Sequence, residues 1–197
     1  MISTTRLRCL IGGLGLSLAV VVALLLRCIP PSISSTYYTY EAGPVFMMIM
    51  GAACSLLFSY SGYDIRDDII TSLASIFGIC VCLFPCNSNL ELVGTFQIPS
   101  KLSGTIHNVS AVGFFAMLSI CSLFLFTKSD GNPTENKKKR NIIYRVCGIG
   151  MVASFLILLL PYFYIQIWLV EFLALLFFGV SWLTKADCLR ILFADPK

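Results

Sequence analysis

The sequence predicts an all-α integral membrane protein: a six-helix transmembrane bundle in one membrane domain over residues 1–197, with both termini cytoplasmic. Three observations predict it. The composition is apolar, six stretches approach bilayer length, and Lys and Arg fall almost entirely on one side. Of 197 residues, 57% are hydrophobic and 12% charged, with a mean hydropathy of +0.86. A soluble domain carries roughly 25% charged residues, and a surface with so few charges would expose apolar area everywhere and aggregate. This excludes a soluble globular domain, a disordered chain and a nucleic-acid binder.

The first stretch, residues 9–26, has no charge between Arg8 and Arg27. Arg6 and Arg8 ahead of an apolar core look like a secretory signal, but Leu25-Leu26-Arg27-Cys28 offers no small-x-small cleavage site. Arg27 before Cys28 also spoils a lipoprotein reading, so the segment is expected to remain as a span. Pro30-Pro31 ends it, and the Ser/Thr/Tyr-rich run up to Tyr40 is amphipathic enough to lie on the membrane surface. The second span is expected at 44–63 and the third at 69–86. Between them, Asp64, Asp67 and Asp68 resemble a carboxylate metal site. A metal needs a second ligand set that this chain lacks, so Asp67 and Asp68 are read as capping the third helix at its positive dipole end.

The fourth span is expected at 104–126 and contains His107. The following loop, Lys128 to Arg145, carries a turn signal at 130–133 and then Lys137, Lys138, Lys139 and Arg140. Such a run attracts anionic lipid by about 1 kcal/mol per basic residue near the surface. It is expected to hold orientation and to contact membrane lipids. The fifth span is expected at 146–160 and the sixth, with Glu171, at 165–183. Only Pro161-Tyr162-Phe163-Tyr164 separates these two, which makes them antiparallel neighbours. Six spans of about 20 residues use roughly 120 residues and leave no room for a second domain.

Orientation follows from the cations. With the N-terminus inside, twelve Lys and Arg fall on the inner side, and Arg27 and Lys101 alone on the outer. Tyr37, Tyr38, Tyr40, Tyr162, Tyr164 and Trp168 form an outer aromatic belt, with Tyr60, Tyr63 and Trp182 on the inner side. Small residues (Gly12, Gly13, Gly15 and Ala19; Gly51 and Ser55; Gly148, Gly150 and Ser154) allow helices to approach closely. Cys9, Cys54, Cys80, Cys82, Cys121 and Cys147 are read as small apolar residues. Cys28 and Cys86 share the outer end, where a disulfide between them is conceivable. A single histidine excludes a three-histidine zinc site and a bis-histidine haem within one subunit; no metal and no cofactor is expected.

Ionisable residues within spans are functional candidates by default. His107 lies three residues into the fourth span, ~4.5 Å of rise, and Glu171 six into the sixth, ~9 Å. They can meet if the two helices are neighbours. Ser110 shares the His107 face at i+3. Three readings stay open: a buried His–Glu lock, an outward-facing ligand or ion pocket, and a hydrolase with Ser110 as nucleophile and His107 as base.

The order of short motifs also resembles a known group. Ser32-Ile33-Ser34 with Tyr37-Tyr38 precedes the second span, and Gly62-Tyr63-Asp64 with Asp67-Asp68 precedes the third, which Leu83-Phe84-Pro85 ends. Ile106-His107 with Ser110-Ala111 opens the fourth, Phe124-Leu125-Phe126-Thr127-Lys128 closes it, and Arg140-Asn141-Ile142-Ile143-Tyr144-Arg145 leads into the fifth. Glu171 and Ser181-Trp182-Leu183 lie in the sixth. From Ile33 to Lys185 this order is similar to that of small bacterial six-span membrane proteins of domain-of-unknown-function family 998. The resemblance implies that fold, a membrane address and a recurrent place for Phe84-Pro85 and His107, and no activity. The expected function is non-enzymatic: binding a lipid or small amphiphile in an outward-facing pocket, or contacting a partner, a second copy included, through the helices. The alternatives are a membrane enzyme acting on lipid headgroups and a small dimeric transporter.

Overall fold

A computed structural model describes residues 3–129, 131–157 and 167–188. Helix α1 (Thr4–Leu26) is capped by Ser3, whose Oγ accepts from the Arg6 N–H at 3.3 Å, and it stops at Arg27 in the left-handed region. The chain then turns through Pro30-Pro31 into a short 3-10 turn, Ser34–Tyr38. This segment folds onto the helix ends as a strap. Helix α2 (Gly43–Phe58) opens on Pro44, whose missing N–H costs nothing in a first turn.

Helix α3 (Ile65–Leu83) starts earlier than expected because its cap is Asp64, not Asp67 or Asp68. The Asp64 carboxylate accepts from the N–H groups of Arg66 (3.0 Å) and Asp67 (3.2 Å). Asp67 and Asp68 occupy the first turn and reach back to the N–H groups of Tyr63 (2.9 Å) and Gly62 (2.8 Å). The helix ends at Phe84 because Pro85 follows. A two-residue hairpin, β1 (Leu92–Val93) antiparallel to β2 (Ile98–Pro99), was not foreseen; Gly94 and Gln97 supply its positive-φ corners.

Helix α4 (Ser100–Ile120) runs on through a widened turn, Cys121–Leu125. Helix α5 (Glu135–Leu156) begins in what the sequence reading took as loop: Thr134 caps the Lys137 N–H at 3.3 Å, and the whole basic run is helical. Helix α6 spans Ile167–Lys185; the 161–164 connection lies outside the described residues.

Among the described residues, three helices are long and apolar enough to cross a membrane: α1, α4 with its extension, and α6. Helix α2 is apolar but shorter, at 16 residues. Val20, Leu24, Ile76, Val109, Val112 and Ile149 are exposed on the outside of the bundle, a surface suited to hydrocarbon rather than water.

Each helix packs on the next in sequence, and α6 closes back on α1, so the six form a ring. The closing seam is tight: a methyl group on Gly179 would stand 2.9 Å from the Gly12 carbonyl oxygen, and one on Gly15 2.4 Å from the Phe178 ring. Aromatic rings fill the axis. Phe115, Phe114, Phe178 and Trp182 follow one another with centroids 5.2–6.3 Å apart, and Trp182 also meets Tyr60 and Phe126, each at 5.1 Å. The start of α1 and the end of α6 lie at one end of the ring, where Cys9 and Cys188 are joined with Cα atoms 6.7 Å apart. Cys9 is therefore not merely a small apolar residue. Cys28 and Cys86, considered as a pair from sequence, are both free thiols.

Candidate functional site

At the strap end of the ring, Glu171 sits one turn into α6 and faces the strap. Its carboxylate accepts from Ser32 Oγ (3.0 Å to each oxygen), the Ile33 N–H (2.5 Å) and Ser34 Oγ (2.8 Å). The Trp168 backbone N–H adds a bond to the Pro31 carbonyl at 3.1 Å. Three donors converging on one carboxylate hold residues 31–34 against the first turns of α6. Such charge-assisted bonds are roughly twice as strong as neutral ones.

His107 does a different job. Its Nδ1 lies 2.8 Å from the Phe84 carbonyl oxygen. A carbonyl only accepts, so Nδ1 carries the hydrogen and donates it. One turn earlier on the same face, Ser103 Oγ donates to the Pro85 carbonyl at 2.7 Å, and Ser100 Oγ approaches the Ser88 carbonyl and Asn87 Oδ1, each at 3.0 Å. Ser100, Ser103 and His107 form a stripe at i, i+3 and i+7 that stitches α4 to residues 84–88, just past the end of α3.

No hydrogen bond joins His107 to Glu171 or to Ser110 among the described residues. Ser110 is buried one turn beyond His107. A Ser–His dyad needs a base within hydrogen-bond reach of the hydroxyl, and Ser110 has none. The sequence reading allowed His107 and Glu171 to meet; the structure puts both at the strap end but gives each a different partner. The sequence reading missed Ser32 and Ser34, the true partners of Glu171, and Ser100 and Ser103 beside His107.

Beneath the strap lies a small cavity of about 50 Å³, bounded by Ile33 and Ser34 above and by Leu18, Phe46, Phe114 and Leu175 around it, with Glu171 at its edge. Every long helix contributes to its wall. His107 and Ser110 do not line it. Among the described residues, no group of three His, Cys, Asp or Glu side chains is placed to hold a metal ion.

The opposite, basic end is organised by ion pairs. Lys128, just past α4, bonds Asp67 Oδ1 at 2.5 Å and Asp64 Oδ2 at 2.9 Å. The Lys128 hydrogen bond holds the Asp64 carboxyl below its usual range, while the Asp67 and Asp64 bonds push the Lys128 ammonium above its own. The expected basic run divides along α5. Lys138 and Lys139 are exposed, with Lys138 paired to Glu135 at 2.7 Å. Arg140 pairs with Asp187. Lys137 donates to the Phe126 carbonyl at 2.6 Å, and burial, then the nearby Arg140, lowers its pKa. No protein-family model, curated protein or solved structure matches this chain.

Proposed function

We propose that this chain is a non-enzymatic multi-pass protein of the cell membrane that admits the apolar part of a lipid or small amphiphile beneath the strap. In this reading it has six spans, with the basic end and both termini on the cytoplasmic side. One observation carries it: the apolar cavity where all six described long helices converge is roofed by Ile33 and Ser34, and hydrogen bonds to Glu171 fasten that roof, with the Ile33 side chain buried in the core beneath it. The hydrogen bonds can be exchanged for others, and lifting Ile33 leaves a void that the apolar part of a ligand would fill.

At about 50 Å³ the cavity falls well below the ~300 Å³ at which small-molecule pockets begin. Occupancy therefore requires the strap to lift. Release of Ser32, the Ile33 N–H and Ser34 would then leave three donors and one carboxylate for a polar headgroup. Phe46, Phe114 and Leu175 would meet the chain. The twelve-to-two division of Lys and Arg supports the orientation. Membership of family 998, expected from the motif order, belongs to the same reading and adds no chemistry to it. Catalysis by Ser110 is disfavoured because, among the described residues, no hydrogen bond joins its hydroxyl to His107, whose Nδ1 bonds the Phe84 carbonyl instead.

Native mass spectrometry of the purified protein tests the reading, with wild type beside Ala111→Leu, which fills the cavity, and Glu171→Gln, which weakens the fastening. The expected result is a discrete bound lipid in the wild type, lost in Ala111→Leu and changed in occupancy in Glu171→Gln. Identical bulk lipid on all three proteins would refute it and leave Glu171 as a fastener of the first loop.

A further inference from the structure

We infer that the basic end of the ring holds a binding site for a phosphate-bearing anion, built by Arg8, Lys137, Arg140 and Lys185. The site lies at the far end of the bundle from the strap and does not depend on the strap reading.

These four side chains come from three helices, α1, α5 and α6, and line one polar cavity of about 460 Å³. Lys128 and Asp187 reach the same cavity. Among the described residues the charges do not balance. Lys128 is answered by Asp64 and Asp67, and Arg140 by Asp187. Among the described residues, Arg8, Lys137 and Lys185 form no ion pair; the Asp67 carboxylate, already paired with Lys128, is the one acidic group that acts on Lys185. Arg8 donates to the Tyr60 hydroxyl at 3.2 Å, and Lys137 to a backbone carbonyl. Lys185, only 8% exposed, lies 3.4 Å from the Tyr63 hydroxyl and over the Tyr63 and Phe126 rings.

Two further donors are unspent among the described residues: the Nε atoms of Arg8 and Arg140 are buried without a hydrogen-bond partner there. Burying unpaired guanidinium donors beside a buried ammonium is unfavourable. An anion in the shared cavity removes the repulsion and supplies the acceptors. Phosphate fits best: it brings close to two negative charges and three strong acceptor oxygens, and guanidinium forks match its geometry. The cavity lies within the ~300–1,000 Å³ range of small-molecule pockets, more room than inorganic phosphate alone would fill. The ligand class is therefore a phosphate ester, either a soluble one or the headgroup of an anionic lipid reaching the ends of α1 and α6.

The test uses the full chain in phosphatidylcholine nanodiscs. Glycerol 3-phosphate is titrated calorimetrically in one arm. Retention of phosphatidate mixed into the bilayer is read by native mass spectrometry in the other. Arg8→Gln/Lys185→Met removes two cations from the cavity, and Lys138→Gln/Lys139→Gln removes two outside it. Binding in the first arm names a soluble ester; retention in the second without it names a headgroup. In either case the cavity variant should bind ~10–100-fold more weakly, and the surface variant within about 2-fold of wild type. Asp187→Asn, at a left-handed position that Asn tolerates, should tighten binding ~3–10-fold by releasing Arg140, a gain that misfolding cannot imitate. Equal losses in the two double variants, no gain in Asp187→Asn, or no binding of either probe would overturn the assignment.

Discussion

Replacing Lys128 by Met should destabilise the folded chain by about 2 kcal/mol at neutral pH. The figure follows from the surroundings of Asp67. Its side chain is 3% exposed and, among the described residues, is ion-paired to the Lys128 ammonium at 2.5 Å, with the Tyr63 N–H at 2.9 Å as a second donor. Losing one partner of a fully buried pair costs ~3–5 kcal/mol, but the Lys128 side chain is 34% exposed, so water replaces part of what is lost. Thermal unfolding in one detergent should show a midpoint lowered by ~4–8 °C. Adding Asp67→Asn should restore part of the loss, because the uncompensated charge goes with it. The difference between wild type and variant also has a pH window. Asp64, lowered from 3.8, contributes above that value and fades as pH falls through its folded pKa. Lys128, raised from 10.5, contributes below that value and fades as pH rises through its folded pKa. The difference should stay flat from about pH 5 to 9 and shrink on both sides. A Lys128→Met midpoint within ~1 °C of wild type, or strict additivity with Asp67→Asn, would refute the reasoning.

Two other predictions address the ring and its orientation. Gly179→Ala should lower stability by ~1–2 kcal/mol, since the new methyl presses on a backbone oxygen that cannot swing aside. Gly51→Ala, with nothing within 4 Å of the new methyl, should raise stability by ~0.5–1 kcal/mol; equal effects from both, read by thermal unfolding, would count against a close α1–α6 seam. Cys28, an exposed free thiol at the strap end, should react with a membrane-impermeant maleimide on intact cells and not in Cys28→Ser; labelling only after permeabilisation would invert the orientation.

The helices were legible where hydropathy and punctuation agree. Pro30-Pro31, Pro44 and Pro85 mark three boundaries to within a few residues, since a proline restricts its neighbour whatever the tertiary context. Helix α5 was half hidden: the basic run suppresses hydropathy, although Thr134 and Glu135 were present as a start signal. The site was harder to read. The donors to Glu171 lie 137–139 residues earlier in the chain, and no local pattern encodes that pairing. His107 spends itself on a carbonyl, a partner that every residue owns and no side-chain inventory reveals. The stripe of Ser100, Ser103 and His107 at helical spacing was the available signal. The basic run was legible as a run, but its division into cavity-facing Lys137 and Arg140 and solvent-facing Lys138 and Lys139 depends on helical phase.

The seam between α1 and α6 has a consequence for assembly. The first helix to be made is completed by the last, so the groove of Gly12 and Gly15 has no mate until about 165 residues later, at Phe178 and Gly179. During synthesis, which proceeds at ~5–20 residues per second, that groove stays open for roughly 8–33 s. A chain stalled before Gly179 offers it to whatever helix is nearest, including the first helix of another nascent copy. The same glycines that make the finished ring tight make the unfinished one promiscuous.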